Sequence, residues 1–288
     1  MPKPNISLTT QAINYIEANL NSRLDLTTIA NALHYSKFYL HRTFNQTLGL
    51  TLHSYAQRRQ LTEAARLLVN STLPIIEIAL NSGYASQQAF SDIFKAMYKI
   101  SPAEFRAKEF FYPLQLPAQL KTAITPIKFK LSDIKPAQTA DIPAWLELVN
   151  LTVDGYPCLK KTEYLTKLQQ YINSQQALVL QIGQTAIGAM TFSVATDSID
   201  FLAIHPQYRN LGLTQLFIAK LSQELQPGHA LSLTTYRAGD KADTGWRNEY
   251  RRLGFQEAEL LVEFGYPTQR FKLPAQSKEA MAYAANHA

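Results

Sequence analysis

Two sets of side chains in this 288-residue chain have types and spacings that could do chemistry. The first is a pair of polar stripes. Lys37, Phe38, His41 and Arg42 recur at helical spacing after Ser36, and Gln87, Gln88 and Ser91 do so after Ser86. The opposite side of each stretch is apolar: Tyr39, Leu40, Thr43 and Phe44 in the first, Ala89, Phe90, Ile93 and Phe94 in the second. An arginine can fork onto a guanine edge and a glutamine can pair doubly with adenine, so such faces suit the major groove of duplex DNA. A solvated helix surface is the bland alternative for any one stripe, and two matched stripes on a repeated unit argue against it. The second set is Arg209-Asn210-Leu211-Gly212-Leu213-Thr214, set between a strand-like run ending at Ile204 and a helical run. Backbone N–H groups left unpaired at a helix start, aided by its dipole, can cradle a pyrophosphate, and Gly212 permits a close backbone approach.

The elements that must position these residues are legible as a repeat. Ile29, Ala30 and Tyr35 align with Ile78, Ala79 and Tyr84, and after one inserted residue Ser36, Leu40 and Phe44 align with Ser86, Phe90 and Phe94. Each copy reads as a short helix, a tight turn and a second helix. Asp25 is placed to cap the first helix of copy one, and Ser36 and Ser86 to cap the second helix of each copy. Gly83 stands where the turn needs a left-handed residue, and His34 holds the equivalent place. Between the copies a helix is predicted from about Leu52 to Asn70; its 19 residues would span roughly 28 Å, near the ~34 Å between successive major-groove faces. Arg58, Arg59 and Arg66 on that helix read equally as phosphate contacts or as solvated charges. Ser101-Pro102-Ala103-Glu104 predicts a capping box with proline at the first helical position.

Bulk properties frame these units. The length favours two domains, and 46% apolar against 17% charged residues is globular composition with no run long enough to span a membrane. No export signal opens the chain, and the single cysteine, Cys158, makes no internal disulfide, so a cytoplasmic protein is expected. The net charge is +6, and residues 1–112 carry 11 Lys and Arg against 7 Asp and Glu, which favours a polyanionic partner for that part. The resulting organisation is an all-α domain over 1–110, a proline-bearing linker over 111–127, an α/β domain over 128–276 and an Ala-rich tail over 277–288. In the second domain the order is strand, two helices, three strands, helix, strand, helix and two strands, with Phe217, Leu221 and Leu225 on the buried side of the helix after Gly212. No second His or Cys stands at ligand spacing from His205, so no metal is expected.

Residues 8–106 resemble the AraC/XylS-type DNA-binding domain. The resemblance rests on IANALHYSKFYLHRTF, the following Gly49, Tyr55 and Arg58 on the long helix, and IIEIALNSGYASQQAFSDIFK with SPAEFR. It implies a seven-helix double helix-turn-helix fold, double-stranded DNA as partner, and Phe38, His41, Arg42, Gln87, Gln88 and Asp92 as contact residues, with Lys37 beside them. Asp92 departs from the arginine common at its position, which suggests a cytosine N4 contact or a weaker grip by the second unit.

Residues 128–273 resemble the GNAT superfamily of acyl-CoA-dependent N-acetyltransferases, which implies a mixed, largely antiparallel sheet. The match lies in the strand ending at Ile204, the segment Arg209 to Thr214, and Tyr250-Arg251-Arg252-Leu253-Gly254-Phe255. The resemblance implies that Ile204, Arg209, Asn210, Leu211, Gly212, Leu213 and Thr214 bind acetyl-CoA or another acyl-CoA. Thr214 replaces a small residue, and Asp243 stands where the superfamily has asparagine. It also implies Tyr250 as the acid for the departing thiolate, with Asp200 a candidate base; a core tyrosine and an edge-exposed charge are the competing readings. Three functions follow: a regulator whose second domain senses an acyl-CoA or small amine, a bifunctional regulator and N-acetyltransferase acting on an amine acceptor, and an acetyltransferase with a helical partner-binding module. The paired recognition stripes favour the first two.

Overall fold

The computed structural model describes residues 5–120, 128–152, 161–263 and 265–275. Cys158, residues 121–127 of the expected linker and the tail from residue 276 lie outside them.

Seven helices fill the N-terminal part: α1 (Ile6–Ala18), α2 (Leu26–Ala32), α3 (Lys37–Leu48), α4 (Leu52–Asn70), α5 (Ile75–Asn81), α6 (Gln87–Tyr98) and α7 (Pro102–Ala107). Local chemistry starts them. Asp25 accepts from Thr28 N, Ser36 from Tyr39 N, Thr51 from Ser54 N and Ser86 from Ala89 N, each taking up a backbone donor that the helix itself leaves unpaired. At α7 the box closes in both directions, Ser101 with Glu104. The two turns carry the expected left-handed residues, His34 at φ 58° and Gly83 at φ 78°. A second left-handed pair ends the two recognition helices, Gly49 after α3 and Lys99 after α6.

The scaffold helix α4 belongs to two cores. Leu52, Tyr55 and Ala56 pack with Ile29, Leu40 and Phe44 of the first helix-turn-helix, and Leu61, Ala64, Ala65 and Leu68 pack with Ile78, Phe90 and Phe94 of the second. The stretch after α7 carries no helix or strand up to Leu120 and straps along α4: Leu114 is buried, Thr62 Oγ1 accepts from the N–H groups of Leu114 and Gln115, and Tyr55 Oη accepts from Ala118 N.

The second part is a three-layer α/β unit. Its seven-stranded sheet contains β1 (Lys135–Pro136), β2 (Ala177–Ile182), β3 (Thr185–Ser193), β4 (Ser198–Ile204), β5 (Leu231–Tyr236), β6 (Gln256–Glu263) and β7 (Tyr266–Leu273), in the order β1-β2-β3-β4-β5-β7-β6. All neighbours are antiparallel except β4 and β5. The alternation of β2 sends Leu178 and Leu180 to one face and Ala177 and Val179 to the other. On the first face lie α10 (Leu213–Lys220) and α11 (Trp246–Arg252), with Phe217, Ile218 and Tyr250; on the second lie α8 (Ile142–Thr152) and α9 (Lys161–Asn173), with Trp145, Leu148 and Leu168.

Three expectations about facing need correction. Leu225 is exposed, because α10 gives way to a π-helical turn over Leu221–Leu225 whose wider winding rotates that side chain out of line with Phe217 and Leu221. Tyr39 and Ala89 lie exposed near the starts of their helices, so the apolar side of each recognition helix is carried by later residues. Arg58 and Arg59 are neither phosphate contacts nor solvated, since both are buried.

Candidate nucleic-acid interface and ligand site

Helix α3 is anchored by the burial of Leu40, Thr43, Phe44, Thr47 and Leu48, which turns Lys37, Phe38, His41 and Arg42 to solvent. Phe38 is 79% exposed with the Lys37 ammonium 5.5 Å from its ring centre, an arrangement that no core requirement explains. Helix α6 is anchored by Phe90, Phe94, Met97 and Tyr98, leaving Gln87, Gln88 and Asp92 exposed and Ser91 at the margin. Gln88 Nε2 donates to Asp92 Oδ1 at 2.8 Å, so the residue that departs from the expected arginine already occupies the amide next to it. Both polar stripes therefore reach solvent on α4-mounted helices.

The second site lies in the sheet. Strands β4 and β5 are in register at only two pairs, Ser198 with Ser232 and Ile199 with Leu233. Beyond them the strands share no ladder, and a cavity of 630 Å³ is lined by Asp200 to Ala203 of β4, Thr234 to Tyr236 of β5, and Tyr164, Tyr171, Trp246, Tyr250 and Tyr266 around them. Asp200 accepts from Tyr171 Oη at 2.5 Å and from Ser198 Oγ at 2.5 Å. Burial first, and the Asp200 carboxylate second, push the Tyr171 hydroxyl well above the ordinary tyrosine range, so it remains a donor. Tyr250 is buried, stacks on Trp246 at 6.0 Å and packs against Phe255, as a core tyrosine does, and it also lines the cavity.

The segment that follows β4 ends a 3-10 stretch, Pro206–Leu211, and enters α10 through Gly212 at φ 72°. Asn210, Leu211 and Gly212 are exposed, Ile204, Leu213 and Thr214 are buried, and a Cβ at Gly212 would meet nothing within 4 Å. Thr214, in the first turn of α10 and 1% exposed, has a buried Oγ1 without a partner among the described residues. Arg209 extends away from the segment: its guanidinium stacks over Trp246 at 4.2 Å and donates to Thr244 Oγ1 and O, both at 3.1 Å. His205 caps the 3-10 stretch, its Nδ1 accepting from Gln207 N, and no group of His, Cys, Asp and Glu among the described residues could hold a metal ion.

Comparison with known proteins separates the two parts. The family described as a helix-turn-helix domain matches residues 29–108. The transcriptional activator AarP of Providencia stuartii is 39% identical over 106 residues, a match covering 37% of this chain and 78% of AarP. This chain belongs to the AraC-type family of helix-turn-helix transcriptional regulators. Among solved structures, an AraC-type regulator from Chromobacterium violaceum is 31% identical with a TM-score of 0.34, covering 36% of this chain and 92% of that one. A GNAT-family acetyltransferase from Bacillus cereus ATCC 10987 is 10% identical with a TM-score of 0.40, covering 50% of this chain and 97% of its own. No helix among the described residues is long and apolar enough to cross a membrane.

The AraC-type unit uses its scaffold arginines for assembly. Arg59 binds Glu17 through two nitrogens and also reaches Glu63 and the carbonyl of Gln115, tying α1, α4 and the strap together. Arg58 donates to the carbonyl of Ala242 in the second domain at 3.1 Å. Reading the sequence alone missed Arg58, Lys99, Asn210 and Asp240 as residues that join the AraC-type unit to the sheet domain. Lys99 Nζ meets Asp240 Oδ1 at 2.7 Å across 141 positions of sequence, a separation that no local pattern can reveal.

Proposed function

We propose that this AraC-type DNA-binding regulator takes an acyl-coenzyme A through its C-terminal domain, and that the bound and free forms differ in DNA affinity. The observation that carries the reading is the parting of β4 and β5 over the cavity, with the exposed Asn210–Gly212 backbone following the end of β4. Strands that part leave ladder groups free to pair with an extended, amide-bearing arm. A pyrophosphate suits the first turn of α10, where Gly212 leaves open space and the buried Thr214 hydroxyl, without a partner among the described residues, lies just beneath. These residues fit the group on steric and polar grounds. Arg209 and Trp246 would border it, because the Trp246 ring lies both under Arg209 and on the cavity wall.

When bound, the coenzyme supplies an activated acyl thioester. Tyr250 lines the cavity with its hydroxyl as a candidate proton donor, which favours a second reading in which the acyl group passes to an amine acceptor. Asp200 weighs the other way: its oxygens accept hydrogen bonds from Tyr171 and Ser198, and a carboxylate that receives two donors is a weaker base than a free one. Sensing without turnover is the better-supported reading.

Calorimetry of the full chain with acetyl-CoA, followed by thiol release in the presence of a panel of amines, tests both. Binding without thiol release supports the sensor. Release that Tyr250→Phe abolishes supports the transferase, and no binding by the folded chain ends both readings.

A further inference from the structure

The same segment that would receive the coenzyme also holds a DNA-reading helix. The last carbonyls of a helix have no partner within it. At the end of α3 two carbonyls are met from the other domain: Asn210 Nδ2 donates to Asn45 O at 3.2 Å, which also accepts from Gly49 N, and to Gln46 O at 2.9 Å. The next residue but two, Gly49, lies against the stem of Arg209, so closely that a Cβ there would come within 2.8 Å of Arg209 Cδ. The second recognition helix is held at the corresponding place. Lys99, the left-handed cap of α6, donates to Ala96 O at 2.6 Å and to Asp240 Oδ1 at 2.7 Å, and Asp240 also accepts from Tyr266 Oη at 3.0 Å and Ala242 N at 2.8 Å. The two anchors are joined, because Arg209 binds Thr244 a few residues beyond Asp240. Both grips fall on helix C-termini and leave the groove-facing residues Lys37, His41, Arg42, Gln87 and Gln88 exposed.

We propose that Asn210 and Asp240 are positioning residues for DNA recognition: together they fix the separation and tilt of α3 and α6, and a phosphate-bearing ligand on residues 209–214 changes DNA binding by drawing Asn210 and Arg209 off the end of α3. The ligand half of this proposal rests on the acyl-CoA reading above; the positioning half rests on the contacts alone. A duplex is read by two helices at once only if their spacing matches the groove repeat, so loosening one anchor costs specific binding while leaving phosphate contacts in place.

The test uses the full chain. Duplexes are first selected from a random pool by the unmodified protein, and specific and non-specific affinities are then measured over a range of salt for it and for Asn210→Ala, whose side chain is exposed and whose loss leaves both cores intact. The expected result is a several-fold fall in the ratio of specific to non-specific affinity, an unchanged salt slope and melting temperature, and relaxed half-site spacing in a pool selected anew by the variant. Asp240→Asn, which keeps the shape but weakens the buried bond to Lys99, should give the same fall in ratio and the same relaxed spacing, with a lowered melting temperature. Saturating acetyl-CoA should shift specific affinity of the unmodified protein by roughly five-fold or more and leave unmoved an Asn210→Ala protein that calorimetry shows to be saturated with it. Unchanged ratio and spacing in Asn210→Ala overturn the positioning role. Acetyl-CoA that binds by calorimetry without altering DNA affinity overturns the coupling and leaves the acyl-CoA reading standing; acetyl-CoA that does not bind removes that reading, and the positioning role is then decided by the variants.

Discussion

Gln88 and Asp92 stand one turn apart on the exposed side of α6, and the 2.8 Å bond between them aims the Gln88 amide before any base is met. If α6 enters the major groove, the carboxylate lies near phosphates and repels them. Replacing it in Asp92→Arg changes the local charge by two and frees Gln88, so non-specific binding should tighten and the slope of log affinity against log salt should steepen by about one to two. Equal slopes for the two proteins, measured by fluorescence anisotropy on a random-sequence duplex, would place Asp92 away from the DNA. A second residue-scale outcome concerns Glu63 on α4. Burial pushes its carboxyl up, but the hydrogen bonds from Arg66 and Arg59 and their charges outweigh it and hold the group below its ordinary value of 4.5. A carboxyl depressed in the folded state adds stability that is complete above the unfolded value and is lost as pH falls through the folded one. Urea unfolding at pH 7 should therefore separate the unmodified protein from Glu63→Gln, and the gap should narrow as pH is taken progressively below 4.5.

At the scale of elements, the turns decide whether each recognition helix points outward. Gly83, at φ 78°, has Ser22 O within 2.4 Å of where a Cβ would stand. Gly83→Ala meets both left-handed strain of roughly 1–2 kcal/mol and a backbone collision, so the melting temperature should drop by several degrees with loss of specific DNA binding; an unchanged melt would mean the turn relaxes freely. That turn was readable from sequence, as were the caps at Asp25, Ser36, Ser86 and Ser101 and the limits of α4 at Leu52 and Asn70, because each depends on residues within one turn of chain. The strand β4 was readable for the same reason, from the run that ends at Ile204. What escaped was set by distant contacts. Arg58 and Arg59 look like surface cations until the strap and the second domain cover them, and the π-helical turn that exposes Leu225 breaks the 3.6-residue period on which its placement depended. The site residues Arg209 to Thr214 were visible as a loop, but the contact of Asn210 with α3 spans 165 positions and leaves no trace in either segment.

Across the whole molecule, the DNA-reading unit and the sheet domain share buried polar contacts rather than a bare tether. Arg58 is 0% exposed and its guanidinium donates to the Ala242 carbonyl, while Ala242 itself packs into the core around Phe90 and Phe94, and Tyr236 packs against that core. A buried arginine is costly to strand, since a hydrogen bond to a charged group is worth about 1.5–3 kcal/mol and its loss exposes the desolvation cost. In a fragment of residues 1–120 the partner carbonyl of Ala242 is gone. The change Arg58→Met should accordingly destabilise the full chain more than the fragment, by on the order of 1.5–3 kcal/mol, when both are unfolded in urea. If the two costs were equal, the Arg58–Ala242 contact would contribute nothing to holding the domains together, and the joint would then have to rest on Lys99 with Asp240 and on Asn210 with the end of α3.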